Sequence, residues 1–227
     1  LFTSDAVSLY LYRATRSAKV VQEVFGKELL AGYLVVDRYQ AYSRVPCQVQ
    51  YCYAHLLRDL KDTQAGFVDE EEVASFAESM IGMLAQARHL RANKQLRAEE
   101  YYVEAQALKK KILTPCYEPS HQLAVKRWHD FFVEEAEKLY HWAADRRVPC
   151  ENNRAERELR PTVMARKVSF GSQAEEGAKT REVLMSMLHT LKKRVKNPRQ
   201  RLKEVLDKIS REPELEADRL LFAADSS

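Results

Sequence analysis

Two acidic residues stand where their neighbours could turn a carboxylate into chemistry. Asp37 closes the run Tyr33-Leu34-Val35-Val36-Asp37, an apolar stretch that stops at a charge. Glu156 stands in ENNRAERELRPTVMARK, residues 151–167, among Arg154, Arg157 and Arg160. Carboxylates of this kind hold hard cations such as Mg²⁺ through oxygen. Guanidiniums beside them suit phosphate, whose oxygens they bind in pairs. Each residue also has a plainer reading. Asp is favoured at turns and helix N-caps. With Asn153 as N-cap, Glu156 falls at the third helical position, a variant of the capping box that needs no catalysis.

Cys52-x-x-His55 has the spacing of half a zinc site, but no second pair follows it. Cys52 reads as a small buried residue of a strand, and His55 as a side chain at the strand's end facing the same edge as Asp37. Arg154, Arg157, Arg160, Arg166 and Lys167 could track a phosphate backbone, together with the seven basic residues from Lys192 to Lys203. Singly, each also reads as part of a solvated helix surface. Phe170-Gly171-Ser172 matches neither nucleotide-binding fingerprint.

These residues need elements to carry them. Residues 1–60 read as strand, strand, helix, strand, short helix, strand and helix, an α/β order. A turn at Thr3-Ser4-Asp5 separates the first two strands. Ser8, Tyr10 and Tyr12 alternate with Val7, Leu9 and Leu11, the period of a half-buried strand. Val20, Val21, Val24 and Phe25 share a helical face that stops at Gly26. Tyr39 to Val45 suits a short helix. In open α/β sheets the carboxyl edge of the strands is where ligands bind, which is where the end of YLVVD places Asp37.

Residues 67–148 read as antiparallel packed helices, with core stripes at Val73, Phe76, Met80 and Leu84, at Tyr101, Ala105 and Leu108, and from Leu123 through Trp128 and Phe132 to Trp142. Pro115, Pro119 and Pro149 mark breaks. The Met and aromatic stripes are core rather than a cofactor box. Residues 151–227 are helical again, with Val183, Leu184, Met187, Leu188 and Leu191 on one face. Asn197-Pro198 starts a further helix, and the tail frays from about Ala223.

Composition bounds the class. The chain has 227 residues, 45% hydrophobic and 31% charged, with only 6 Gly and 7 Pro, which argues against an all-β sandwich. The net charge of +4 permits nucleic-acid binding without requiring it. Asp69 to Glu72 is an acidic run. No apolar run approaches the ~18 residues of a membrane span, and nothing marks a secretory signal. The four cysteines read as free thiols of a cytosolic protein.

Taken together, the blocks GYLVVDRYQAY, CYAHLLRDLKD, ENNRAERELRPTVMARKVSFGS and GAKTREVLMSMLHTLKK resemble the bacterial insertion sequence sixty-six family of transposases. The blocks cover residues 32–62 and 150–193, and the helical stretch between them agrees in character. The resemblance implies a ribonuclease-H-like core over 1–62 and 150–195, a large helical insertion at 63–149, and C-terminal helices with a tail at 196–227. It implies catalysis by Asp, Asp and Glu. The second Asp falls on Asp37 and the Glu on Glu156, both metal ligands, while Cys52 and His55 resemble a Cys-x-x-His near the active site of several transposase groups. Mg²⁺ or Mn²⁺, two ions in the complete enzyme, would be the cofactor. DNA would be the partner, held by Arg154, Arg157, Arg160, Arg166 and Lys167, and the enzyme would act as at least a dimer in the bacterial cytoplasm, at the nucleoid.

The chain departs from the pattern at Glu151, where Asp is usual, and at Arg38, where Gly is usual. The family's first Asp and its N-terminal DNA-binding region are expected to be absent, so the chain alone should bind metal weakly and show little activity. A nuclease on the same scaffold and a non-catalytic helical DNA-binding or assembly module remain the alternatives.

Overall fold

The apolar pattern of residues 53–60 explains the first element that positions a candidate residue. Tyr53, Leu56, Leu57 and Leu60 recur at the three- and four-residue spacing of one helical face. In the computed structural model they are buried in helix α2, Tyr53–Gly66. The preceding strand β4, Gln48–Tyr51, pairs in parallel with β3, Tyr33–Val36, in the register Tyr33 to Gln48 and Val36 to Tyr51. Pairing ends where the Cys52 N–H donates to the Val36 carbonyl at 2.8 Å; the Cys52 carbonyl then accepts the His55 and Leu56 N–H groups and starts the helix. His55 therefore belongs to the first turn of α2, not to the strand's end, and Cys52 is the residue before the helix. The helical apolar period outweighs the aromatic strand propensity of Tyr51-Cys52-Tyr53.

The structure describes residues 1–42, 44–168, 171–172 and 174–222. Ser43, Phe170 and the tail from Ala223, on which parts of the sequence reading fall, lie outside them. The chain divides into two compact units, Thr15–Asn153 on the one hand and Leu1–Ala14 with Arg154–Ser227 on the other. Among the described residues the strands form two two-stranded sheets, one in each unit. The order of elements is α/β, and helices dominate it.

In the larger unit, α1 (Ala18–Phe25) stops at Gly26, whose φ of 67° is a left-handed conformation that glycine adopts without strain. A 3₁₀ turn, Gln40–Tyr42, lies in the connection from β3 to β4. Helix α3, Glu71–Ala92, begins on the acidic run and ends with His89 and Arg91. Negative charge at the first turn and positive charge at the last both complement the helix dipole. Helices α4 (Ala98–Leu113), α5 (Leu123–Glu134), α6 (Ala136–Leu139) and α7 (His141–Ala144) complete the unit.

The core of this unit joins Tyr53, Leu56 and Leu60 to Met80, Leu84, Tyr101, Ile112, Phe132, Leu139 and Trp142, all essentially without solvent exposure. The Met and aromatic stripes are core, as their spacing implied, while Leu123 at the start of α5 is exposed. Several polar atoms inside are paired, while the buried Tyr140 hydroxyl has no hydrogen-bond partner. The Tyr53 hydroxyl donates to the Leu139 carbonyl and accepts from Trp142 Nε1–H, both at 2.7 Å. Tyr101 Oη donates to the Trp142 carbonyl at 2.7 Å. Buried Gln50 donates to the Leu139 carbonyl and accepts the His141 N–H. Buried polar groups are costly unless bonded in this way.

In the smaller unit β1 (Phe2–Thr3) and β2 (Ser8–Leu9) form an antiparallel hairpin. Its helices are α8 (Asn153–Val168), α9 (Glu175–Arg194), α10 (Pro198–Arg211) and α11 (Ala217–Phe222). Pro198 opens α10, and the Asn197 side chain caps it by accepting the Gln200 N–H at 3.1 Å. The polar side of the hairpin faces inward: Ser8 and Tyr10 are buried and Val7 is exposed. The reason lies in α9. The N–H groups of Ser8, Tyr10 and Tyr12 donate to the side chains of Thr190, Ser186 and Glu182 at 2.9–3.1 Å. Two strand residues advance about 6.6 Å and four helical residues about 6 Å, so the two ladders stay in step. This arrangement covers the free edge of the chain past β2 with a helix, as edges require. It also leaves Val183 and Leu184 exposed, so the apolar face expected along α9 is buried only toward its end, at Leu191.

Candidate functional site

Asp37 follows β3 directly, at the carboxyl end of the parallel pair, and is half-buried. One oxygen, Oδ1, accepts the Tyr39 N–H at 3.1 Å, an Asx turn of the kind its plainer reading implied. Burial, and then the Asp37 carboxylate, raise the Tyr42 phenol above its ordinary value. Arg38, the next residue, forms an ion pair with Asp59 of α2 and lies over the Phe131 ring at 4.9 Å and the Trp128 ring at 5.5 Å.

His55 sits in the first turn of α2 and is half-buried. The Cys52 thiol is buried, and its sulfur accepts the Asn152 N–H at 3.4 Å. Neighbouring contacts strap residues 148–153 to the same unit. The Tyr53 N–H donates to the Cys150 carbonyl at 2.8 Å, and Arg91 donates to the Val148 carbonyl at 3.0 Å. Glu151 pairs with Arg88 at 2.5 Å and accepts from the Asn153 side-chain amide. All four cysteines are free thiols. Burial pushes Cys116 and Cys150 up to about 12.

Glu156 lies in the first turn of α8, half-buried, where the helix dipole favours a negative charge. The helix begins at Asn153 itself, so the expected N-cap is one residue inside it. Arg154, Arg157, Arg160, Arg166 and Lys167 are all exposed on this helix. Arg154 is in an ion pair with Asp5 in the hairpin turn. Arg166 and Lys167 occupy the last turn, where cations complement the dipole. Asp37 and His55 thus belong to the larger unit, and Glu156 with the five basic residues to the smaller.

Glu158, which the sequence alone did not single out, is a carboxylate clamped by three side chains. Its Oε2 accepts the hydroxyls of Ser8 at 2.5 Å and Thr3 at 2.9 Å, and Oε1 pairs with Lys193 at 2.9 Å. Burial alone would raise its pKa, but the hydrogen bonds from Ser8, Lys193 and Thr3 prevail and lower it. Tyr10 Oη donates to the Glu158 carbonyl at 2.7 Å and meets His189 edge-on. Nothing local in the sequence marks Glu158, because Thr3, Ser8 and Lys193 reach it from distant positions in the chain.

Asp37 and Glu156 offer the hard oxygen donors that suit Mg²⁺ or Mn²⁺. Among the described residues no group of three or more His, Cys, Asp or Glu residues is gathered to hold a metal ion. No helix among them is long and apolar enough to cross a membrane.

A family model described as Transposase IS66 family matches residues 2–180. The span includes Asp37, His55, Glu156 and all five basic residues of α8. No curated protein and no solved structure matches the chain.

Proposed function

The chain belongs to the IS66 family of transposases, and from that premise we propose that it forms the catalytic core of a metal-dependent enzyme that cuts and rejoins DNA at the ends of an insertion element. The observation that carries the reading is the family match across 2–180, which spans a carboxylate at the end of a parallel strand and another at the start of a helix rich in arginine. On this reading residues 1–62 and 150–195 make a ribonuclease-H-like core and 63–149 an insertion into it.

Asp37 and Glu156 are the metal ligands. Two Mg²⁺ or Mn²⁺ ions, when bound, would neutralise charge on the attacking and leaving oxygens of the phosphodiester. Asp37 is held by the Tyr39 N–H on one oxygen, which leaves the other for a ligand. His55 serves as a further catalytic-site residue. Arg157, Arg160, Arg166 and Lys167 hold DNA phosphates, and Arg154 joins them by exchanging Asp5 for a phosphate. Such contacts position the DNA without reading its sequence. The enzyme works on paired DNA ends as at least a dimer.

The resemblance assigns two of the family's three carboxylates to Asp37 and Glu156. Mn²⁺ titration followed by electron paramagnetic resonance tests the ligand assignment. Asp37→Asn and Glu156→Gln should each weaken binding about tenfold or more; wild-type binding by both variants would overturn it. A nuclease on the same scaffold would give cut DNA ends but no joined product.

A further inference from the structure

The larger unit holds a cavity of about 820 Å³ that begins where Asp37 ends. Its wall starts with Arg38, Tyr39 and Tyr42 and continues through Tyr51, Phe131 and Lys138. We propose that this cavity takes one unpaired nucleobase of the DNA, stacked on Arg38 and its neighbouring rings. The inference rests on the transposase reading and names what that site binds beside the scissile phosphate.

Four observations support it. The volume lies within the range of about 300–1,000 Å³ typical of small-ligand sites. The wall interleaves rings with cations, the composition that binds unstacked bases by their faces and the backbone by its charge. Arg38 is pre-organised for stacking. Asp59 holds one edge of its guanidinium, the Phe131 and Trp128 rings lie against it at 4.9 and 5.5 Å, and about a third of the side chain, 34%, is still exposed. Tyr51 and Phe131 are nearly parallel, at 15°, and Lys138 lies over Tyr51 at 5.5 Å.

Position supplies the fourth. The cavity runs along β4, from Cys47 to Tyr51, and reaches Arg38 and Tyr39 just past the carboxyl end of β3, the edge at which parallel sheets bind ligands. Lys109, over the Tyr140 ring at 5.4 Å, and Lys138 add positive charge to the wall, suited to the phosphates flanking an extruded base. Glu135 and Glu137 also line it, and Glu135 pairs with Lys138 at 2.6 Å. The acidic pair disfavours a ligand made of phosphate alone and suits one whose base carries amino groups that can donate.

The test compares two short duplexes with the full 227-residue chain. One is fully paired; the other carries a single unpaired 2-aminopurine. Anisotropy should show about tenfold tighter binding to the second, as one base stack supplies, with quenched 2-aminopurine fluorescence. In Tyr39→Ala, a change at an exposed ring that leaves the core intact, and in Arg38→Gln, the ratio of affinities should fall towards one. Equal affinity of the wild type for both duplexes, or a preference untouched by both variants, overturns the inference while the transposase reading stands. Binding to neither duplex at low salt overturns both.

Discussion

The sulfur of Cys52 accepts the backbone N–H of Asn152 at 3.4 Å, across one hundred residues of chain. Cys52 joins β4 to α2, so one buried residue serves the strand end through its N–H, the helix start through its carbonyl and the returning chain through its sulfur. The adjoining bond from the Tyr53 N–H to the Cys150 carbonyl makes this a two-point strap. A half zinc site in the sequence is, in the fold, a tie between two distant segments.

Replacing Cys52 with Ala removes a buried acceptor and leaves a small void. The expected loss is about 1 kcal/mol of stability. Hydrogen exchange at the Asn152 amide should accelerate well beyond that of the neighbouring Tyr53 amide. Equal protection of Asn152 in variant and wild type would show that the strap does not depend on the thiol.

Tyr53→Phe tests the polar knot in the core. The variant keeps the ring but leaves Trp142 Nε1–H with only the Leu139 carbonyl, at 3.0 Å, an acceptor it shares with the Gln50 side-chain amide. A destabilisation of about 1–2 kcal/mol is expected by denaturant titration, with a midpoint shift and an unchanged slope.

Glu158 makes the smaller unit sensitive to acid. Its folded pKa is lowered, so it contributes stability that is present above its ordinary value of 4.5 and is lost as pH falls from there through the folded value. Glu158→Gln should lower the melting temperature at pH 7. The gap between variant and wild type should narrow as pH drops below 4.5, and a gap independent of pH would rule the ion pair out as its source.

The ion pair of Arg154 with Asp5 is exposed, 52% and 89% for the two side chains, and costs little to open. If Arg154 holds a phosphate, Asp5→Asn should tighten DNA binding by up to about fivefold. Arg154→Ala should weaken it and reduce the salt slope by about one. Both effects should be alike for unrelated DNA sequences.

Local pattern alone determined much of this protein. The periodicity of Val73, Met80 and Leu84, the stop at Gly26, the start at Asn197-Pro198 and the apolar run closed by Asp37 are all short-range signals, each within a turn or a strand of its cause. They were legible because propensity and amphipathic period act over a few residues. Tertiary structure decided the rest. It moved Cys52 and His55 out of the strand because Tyr53, Leu56, Leu57 and Leu60 bury one helical face against α3. It turned Ser8 and Tyr10 inward because Ser186 and Thr190 of α9, some 180 residues on, supply the hydrogen bonds their backbone needs. It made Glu158 the clamped carboxylate of α8, since Ser8, Thr3 and Lys193 meet there. Partners so distant in sequence leave no local trace, because a buried polar group is satisfied by whichever segment the fold brings to it.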